Sequence, residues 1–170
     1  METIINGILN LFSGLSALKY GKELLVFFIS LLPILELRGG LLAASLLGVN
    51  PMRAYIISII GNVIPVPFIL LFINKILEWM GKSSIEWIRN ISNWIQKKGN
   101  KNKNSIEKYG YLGLLLFVGI PLPGTGAWTG CLVASLLHLN RKKAFVATIG
   151  GILMASVIMM IISYGIIGEL

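Results

Sequence analysis

Two charged side chains, Glu36 and Arg38, stand two residues apart at the centre of an apolar stretch running from Leu24 to Val49. An ionised group at bilayer depth costs about 2.5 to 3.5 kcal/mol on insertion scales, so both must face protein, water or each other. A carboxylate in a low dielectric gains affinity for a proton, which makes Glu36 a candidate switch and leaves Arg38 as a candidate anion contact. A mutual ion pair closing a turn is the structural alternative. Gly39 and Gly40 beside them let a ligand approach the backbone. A second cluster, Pro123, Gly124, Thr125 and Gly126, followed by Trp128 and Thr129, interrupts the stretch from Tyr109 to Asn140. Asn62 and Pro65 break the apolar run between the two and add a kink with polar capacity. Other chemistries have little to work with. The chain has no aspartate, one histidine (His138) and one cysteine (Cys131), so metal ligation, a cofactor and an enzymatic constellation are not expected.

The elements that must position these residues are apolar helices. The chain is 55% hydrophobic and only 13% charged, with a mean hydropathy of +0.80, which places it in a bilayer. No Asp, Glu, Lys, Arg or His occurs between Arg53 and Lys75, or between Lys143 and Glu169; His138 alone intervenes between Lys108 and Arg141. The net charge of +8 is spread over the loops between these runs, which suits membrane orientation and lipid surfaces rather than nucleic acid.

Sliding the sequence against itself shows a repeat at ninety residues. Pro33 falls on Pro123, Gly40 on Gly130, Ala44-Ser45-Leu46-Leu47 on Ala134-Ser135-Leu136-Leu137, Asn50 on Asn140, Ala54 on Ala144 and Gly61 on Gly151. Adding Phe27/Phe117, Leu32/Leu122, Leu42/Leu132 and Ile59/Ile149 gives 13 identities in the 35 positions from 27 to 61. Apolar composition matches leucines by chance, but it does not also align Pro, Gly, Ser and Asn.

Each copy reads as an interrupted apolar stretch, a polar turn and an uninterrupted apolar helix. Folded back at Pro33, each arm of Leu24 to Val49 is about 13 residues and roughly 20 Å long, short of the ~30 Å hydrocarbon core. Such hairpins enter and return. Charge supports this: with hairpins, eleven Lys and Arg fall on one side and three on the other, against ten and four if both stretches cross. One full crossing per copy inverts the second copy relative to the first, a recurring transporter plan in which broken helices meet at the midplane. Two helix N-termini and Arg38 would there form an anion site.

The predicted plan is an all-α integral membrane protein with two inverted repeats, each a re-entrant hairpin followed by one transmembrane helix. An N-terminal interfacial helix (1–22) precedes repeat 1 (23–74; hairpin 23–49, transmembrane helix 51–74). A basic amphipathic linker (75–108), predicted to be cytoplasmic, leads to repeat 2 (109–168; hairpin 109–139, transmembrane helix 141–168). In the linker Ile88, Ile91, Trp94 and Ile95 recur at helical spacing, with Trp79, Trp87 and Trp94 as interfacial anchors.

Pro33-Ile34-Leu35-Glu36-Leu37-Arg38-Gly39-Gly40, the run Gly61-Asn62-Val63-Ile64-Pro65-Val66-Pro67 and the run from Ile120 to Gly130 together resemble the small multidrug export family. More distantly, the chain is similar to the DedA and SNARE-associated (VTT) membrane proteins. Those proteins carry paired re-entrant hairpins with acidic and arginine residues and are linked to lipid movement. Here Gly126 and Trp128 stand at the positions matching Glu36 and Arg38. The resemblance implies a multi-pass cell-membrane transporter or flippase of an amphiphilic substrate, an anionic lipid such as polyprenyl phosphate fitting the electrostatics best, with possible proton coupling. Substrate contacts are then expected from Glu36, Arg38, Gly39, Gly40, Asn62, Pro65, Pro123, Gly124, Thr125, Gly126, Trp128 and Thr129. Export of small drug-like molecules and a non-transporting structural or assembly role are the alternatives. Expected partners are membrane lipids and a second copy of the chain.

Overall fold

The computed structural model describes residues 20–101, 109–122 and 124–166. Most of the N-terminal helix expected over 1–22, the basic run beyond Lys101 and Pro123 lie outside the described residues. The elements of the described residues are all helices, without strands, in two compact units: residues 20–62 with 155–166, and residues 63–154.

In the first unit, α1 (Gly21–Leu31) and α2 (Glu36–Leu46) form an antiparallel hairpin. Leu32 takes extended backbone (φ −69, ψ 138), as the residue before a proline must, so Pro33 ends α1. At the far end of α2, Gly48 adopts a left-handed conformation (φ 65). Its N–H donates to the Ser45 carbonyl at 3.1 Å and the Val49 N–H to the Ala44 carbonyl at 2.9 Å, a C-cap that only a residue tolerant of positive φ supplies cheaply. Asn50 Oδ1 then accepts the N–H groups of Met52 (3.1 Å) and Arg53 (3.4 Å) and starts α3 (Pro51–Val63) with proline at its first position.

The second unit holds α4 (Pro65–Gly81), α5 (Glu86–Lys101), α6 (Gly110–Gly119), α7 (Ala127–Leu136) and the first part of α8 (Arg141–Met160). Its hairpin, α6 and α7, is built by the same devices. Ile120 is extended before Pro121 (φ −84, ψ 121). His138 sits at φ 51 where Gly48 sits in the first copy, with its N–H on the Ser135 carbonyl and the Leu139 N–H on the Ala134 carbonyl, both at 3.0 Å. Asn140 Oδ1 caps α8 through the N–H groups of Lys142 (3.1 Å) and Lys143 (3.3 Å). The ninety-residue register therefore holds bond for bond from the second arm onward.

The first arms follow a different register. A Cβ on Gly61 would lie 2.8 Å from the Phe27 carbonyl oxygen and 3.0 Å from Ser30 Cβ; one on Gly151 would lie 2.7 Å from both the Leu115 oxygen and Val118 Cβ. Phe27 and Ser30 thus correspond to Leu115 and Val118, an offset of 88. Phe27/Phe117 and Leu32/Leu122, matched at ninety, are not structural counterparts. The difference is absorbed at the tips, which span 32–35 in the first hairpin and 120–126 in the second.

Two helices are long and apolar enough to cross a membrane, Pro51–Gly81 (31 residues) and Arg141–Gly165 (25 residues). The first is interrupted at Ile64, where Pro65 and Pro67 remove two helix donors, and it runs on to Gly81 beyond the expected end at 74. Its C-terminal part carries α5: Ser92 Oγ donates to the Leu77 carbonyl at 3.0 Å. The expected amphipathic helix of the linker is α5, and Trp79, Trp87 and Trp94 are all exposed.

Candidate functional site

The first hairpin tip places Glu36 at the first residue of α2, where its negative charge suits the helix dipole. Glu36 is 5% exposed and holds a left-handed backbone (φ 52), a conformation costing an L-residue roughly 1 to 2 kcal/mol. Its carboxylate interacts electrostatically with Arg38, which is half-buried. One turn along α2, Gly40 packs on Ser30 of α1, and a Cβ there would come 3.1 Å from Ser58 Oγ of α3. On α3, Asn62 follows Ser58 by one turn and so lies on the same helix face.

Ser30, Ser58 and Asn62 are 0%, 0% and 1% exposed. Ser30 Oγ donates to the Val26 carbonyl at 2.7 Å. The Ser58 hydroxyl and both polar atoms of the Asn62 amide have no hydrogen-bond partner. Leaving a buried polar group without a partner costs about 1 to 3 kcal/mol, so these three atoms on one face of α3 are a polar group that the described residues do not satisfy.

Comparison with the second copy isolates this cluster. Gly126 (φ 138) takes the place of Glu36, Trp128 that of Arg38 and Ile152 that of Asn62; Val118, facing Gly130, takes that of Ser30. Thr148 replaces Ser58, but its Oγ1 lies 3.7 Å from Cys131 Sγ, a weak hydrogen bond. Positive φ at 126 is met by glycine, whereas at 36 the chain carries a glutamate in a glycine's conformation.

Of the residues singled out from sequence, Glu36, Arg38, Gly39, Gly40 and Asn62 belong to the first unit. Pro65, Gly124, Thr125, Gly126, Trp128 and Thr129 belong to the second. Thr125 Oγ1 is directed at the carbonyls of Leu122 (2.8 Å) and Ile120 (3.1 Å), closing its own loop. Gly124 (φ 82) and Gly126 supply the positive φ that this loop needs. Trp128 and Thr129 are half-buried in the first turn of α7. Sequence reasoning missed Ser30 and Ser58. The available signal was the spacing of Ser58 four residues before Asn62, which puts both on one helix face.

No curated protein and no solved structure matches the chain. The profile of the family described as "Putative small multi-drug export protein" matches residues 36–158, most of the chain and both hairpins' second arms. With two apolar helices of spanning length, the chain is a membrane protein and belongs to the small multi-drug export family.

Proposed function

We propose that the protein is a transporter that exports amphiphilic small molecules, with Glu36 as its proton-exchanging group and Ser58 and Asn62 as substrate contacts. The observation that carries this is the buried glutamate in a glycine's backbone conformation, in the same unit as three buried polar atoms without partners. Strain that a glycine would relieve persists where the side chain has work to do, and removing a carboxylate from water favours its protonated form. The family's export label agrees with this reading. Re-entrant hairpins in inverted copies are part of the same proposal. Their arms are 11, 11, 10 and 10 residues long, about 15 to 17 Å, half of a ~30 Å core.

An anionic lipid substrate is the second reading, favoured by the half-buried Arg38 in the first turn of α2, where cation and helix dipole both attract an oxyanion. The lipid role and the wider likeness to DedA and SNARE-associated proteins stand or fall with it. Reconstituted proteoliposomes test both readings with a lipophilic cationic dye and a polyprenyl phosphate under an imposed pH gradient. Glu36→Gln is expected to abolish gradient-driven movement of the true substrate, and Arg38→Ala to act strongly only on the polyprenyl phosphate. Transport of both substrates at wild-type rates by both variants would sink the carrier function.

A further inference from the structure

At the opposite end of the second hairpin from its tip, a cavity of about 160 Å³ is lined by Leu70, Asn74, Ser135, His138, Leu139 and Arg141. That is room for about five waters at ~30 Å³ each, or for one phosphate group. Ser135 is 7% exposed and its hydroxyl has no hydrogen-bond partner, nor has Asn74 Oδ1. The Asn74 amide donates to the Ser135 main-chain carbonyl at 3.0 Å, which holds the Asn74 side chain against the end of α7. Arg141 and His138 are exposed, and no lining residue is acidic.

The first copy differs at three of these positions. Ser45, the counterpart of Ser135, spends its hydroxyl on the Ser163 carbonyl at 2.5 Å. Gly48 stands where His138 stands, and both hold positive φ (65 and 51), so an imidazole is kept at a position suited to glycine. Pro51 stands where Arg141 stands. In the first turn the hydroxyl is hydrogen-bonded and a cation, Lys22, donates to the Leu47 carbonyl at 2.8 Å; the second carries an arginine, an imidazole and two open polar atoms.

We propose that this cavity binds a phosphate-type oxyanion bearing a hydroxyl. Arg141 supplies the charge and a forked donor set, the Ser135 hydroxyl and His138 donate to further oxygens, and Asn74 Oδ1 accepts from the ligand's hydroxyl. The α8 N-terminus adds positive potential, while its Lys142 and Lys143 N–H groups are already taken by Asn140, so side chains make the contacts. Two sources share this chemistry: hydrogen phosphate in solution and the phosphoglycerol headgroup of an anionic phospholipid, which lies where an apolar helix begins.

Native mass spectrometry of the full chain released from detergent separates them, with phosphatidylglycerol, phosphatidylcholine and inorganic phosphate as probes. A headgroup site retains phosphatidylglycerol at least about tenfold more tightly than phosphatidylcholine, and Ser135→Ala and Arg141→Gln each weaken it about fivefold or more. A free-anion site shows the same sensitivity to both substitutions for inorganic phosphate, with no preference between the lipids. His138→Gly guards against misfolding, because glycine suits the left-handed backbone: its melting temperature is expected to rise while ligand retention falls. The proposal is overturned if neither phosphatidylglycerol nor phosphate is preferred, or if any of the three substitutions leaves retention at the wild-type value.

Discussion

Gly40 lies directly against Ser30, on the face of α2 that also meets Ser58 of α3: a Cβ on Gly40 would come within 3.1 Å of both Ser30 Cβ and Ser58 Oγ and would overlap Ser30 Oγ. Three helices close on one small residue here, and interiors packed this tightly do not absorb an added methyl without shifting. Gly40→Ala is expected to destabilise the protein by about 1 to 3 kcal/mol, read as a lower unfolding midpoint in detergent. Ser30→Ala in the same chain removes the worst overlap and is expected to restore part of the loss; strict additivity of the two substitutions would mean that the contact is not made.

Glu36→Gly and Glu36→Gln separate strain from charge. Glycine relieves a backbone conformation that costs roughly 1 to 2 kcal/mol, so Glu36→Gly is expected to melt at or above the wild type, while Glu36→Gln keeps the strain. Both are expected to lose at least about tenfold in substrate uptake. An uptake-competent Glu36→Gly would show that the carboxylate has no part in transport.

The unsatisfied pair on α3 gives a stability and function contrast. Replacing Asn62 by leucine takes two unpartnered buried atoms out of the core, a change worth up to about 1 to 3 kcal/mol in favour of the fold. Asn62→Leu is therefore expected to resist thermal unfolding at least as well as the wild type and to transport poorly. Loss of stability without a specific transport defect would identify Asn62 as a packing residue.

The ion pair between Arg53 and Glu23, 3.4 Å apart with the arginine 64% exposed, is expected to matter little. Arg53→Gln should change stability by less than about 1 kcal/mol, and that difference should shrink as salt is added. A larger effect in unfolding titrations would show that the pair is shielded from solvent.

Cys131 is fully buried against Thr148. It is expected to resist maleimide labelling in the folded protein and to react once denaturant exposes it, since reactivity needs an accessible thiolate. Labelling at the free-thiol rate under native conditions would contradict the packing of α7 on α8.

The cap-and-turn chemistry was the most legible part of the chain. Ser45 to Asn50 and Ser135 to Asn140 share four of six residues, and their backbone bonds follow the same register, because a C-cap and an asparagine N-cap are local events set by a few side chains. The first arms were misaligned by two residues, because Phe27 and Phe117 match as letters while the helix contacts made by Gly61 and Gly151 decide the true pairing. Glu36 and Arg38 announced themselves as charges in an apolar run. Ser30 and Ser58 did not, since a hydroxyl costs so little in hydropathy that only packing reveals where it points. The positive φ of Glu36 and His138 was also invisible, for it appears only when each is set beside the glycine of the other copy.

That pairing of Glu36 with Gly126 and of His138 with Gly48 bears on ancestry. Identical subunits in a symmetric assembly must accept every substitution in duplicate, so a costly backbone would be suffered at both places. Once two copies are fused in one polypeptide, drift can load the carboxylate onto one hairpin and the imidazole onto the other while each sister position keeps glycine. A chain of two unlike halves can therefore divide these burdens in a way that identical subunits cannot.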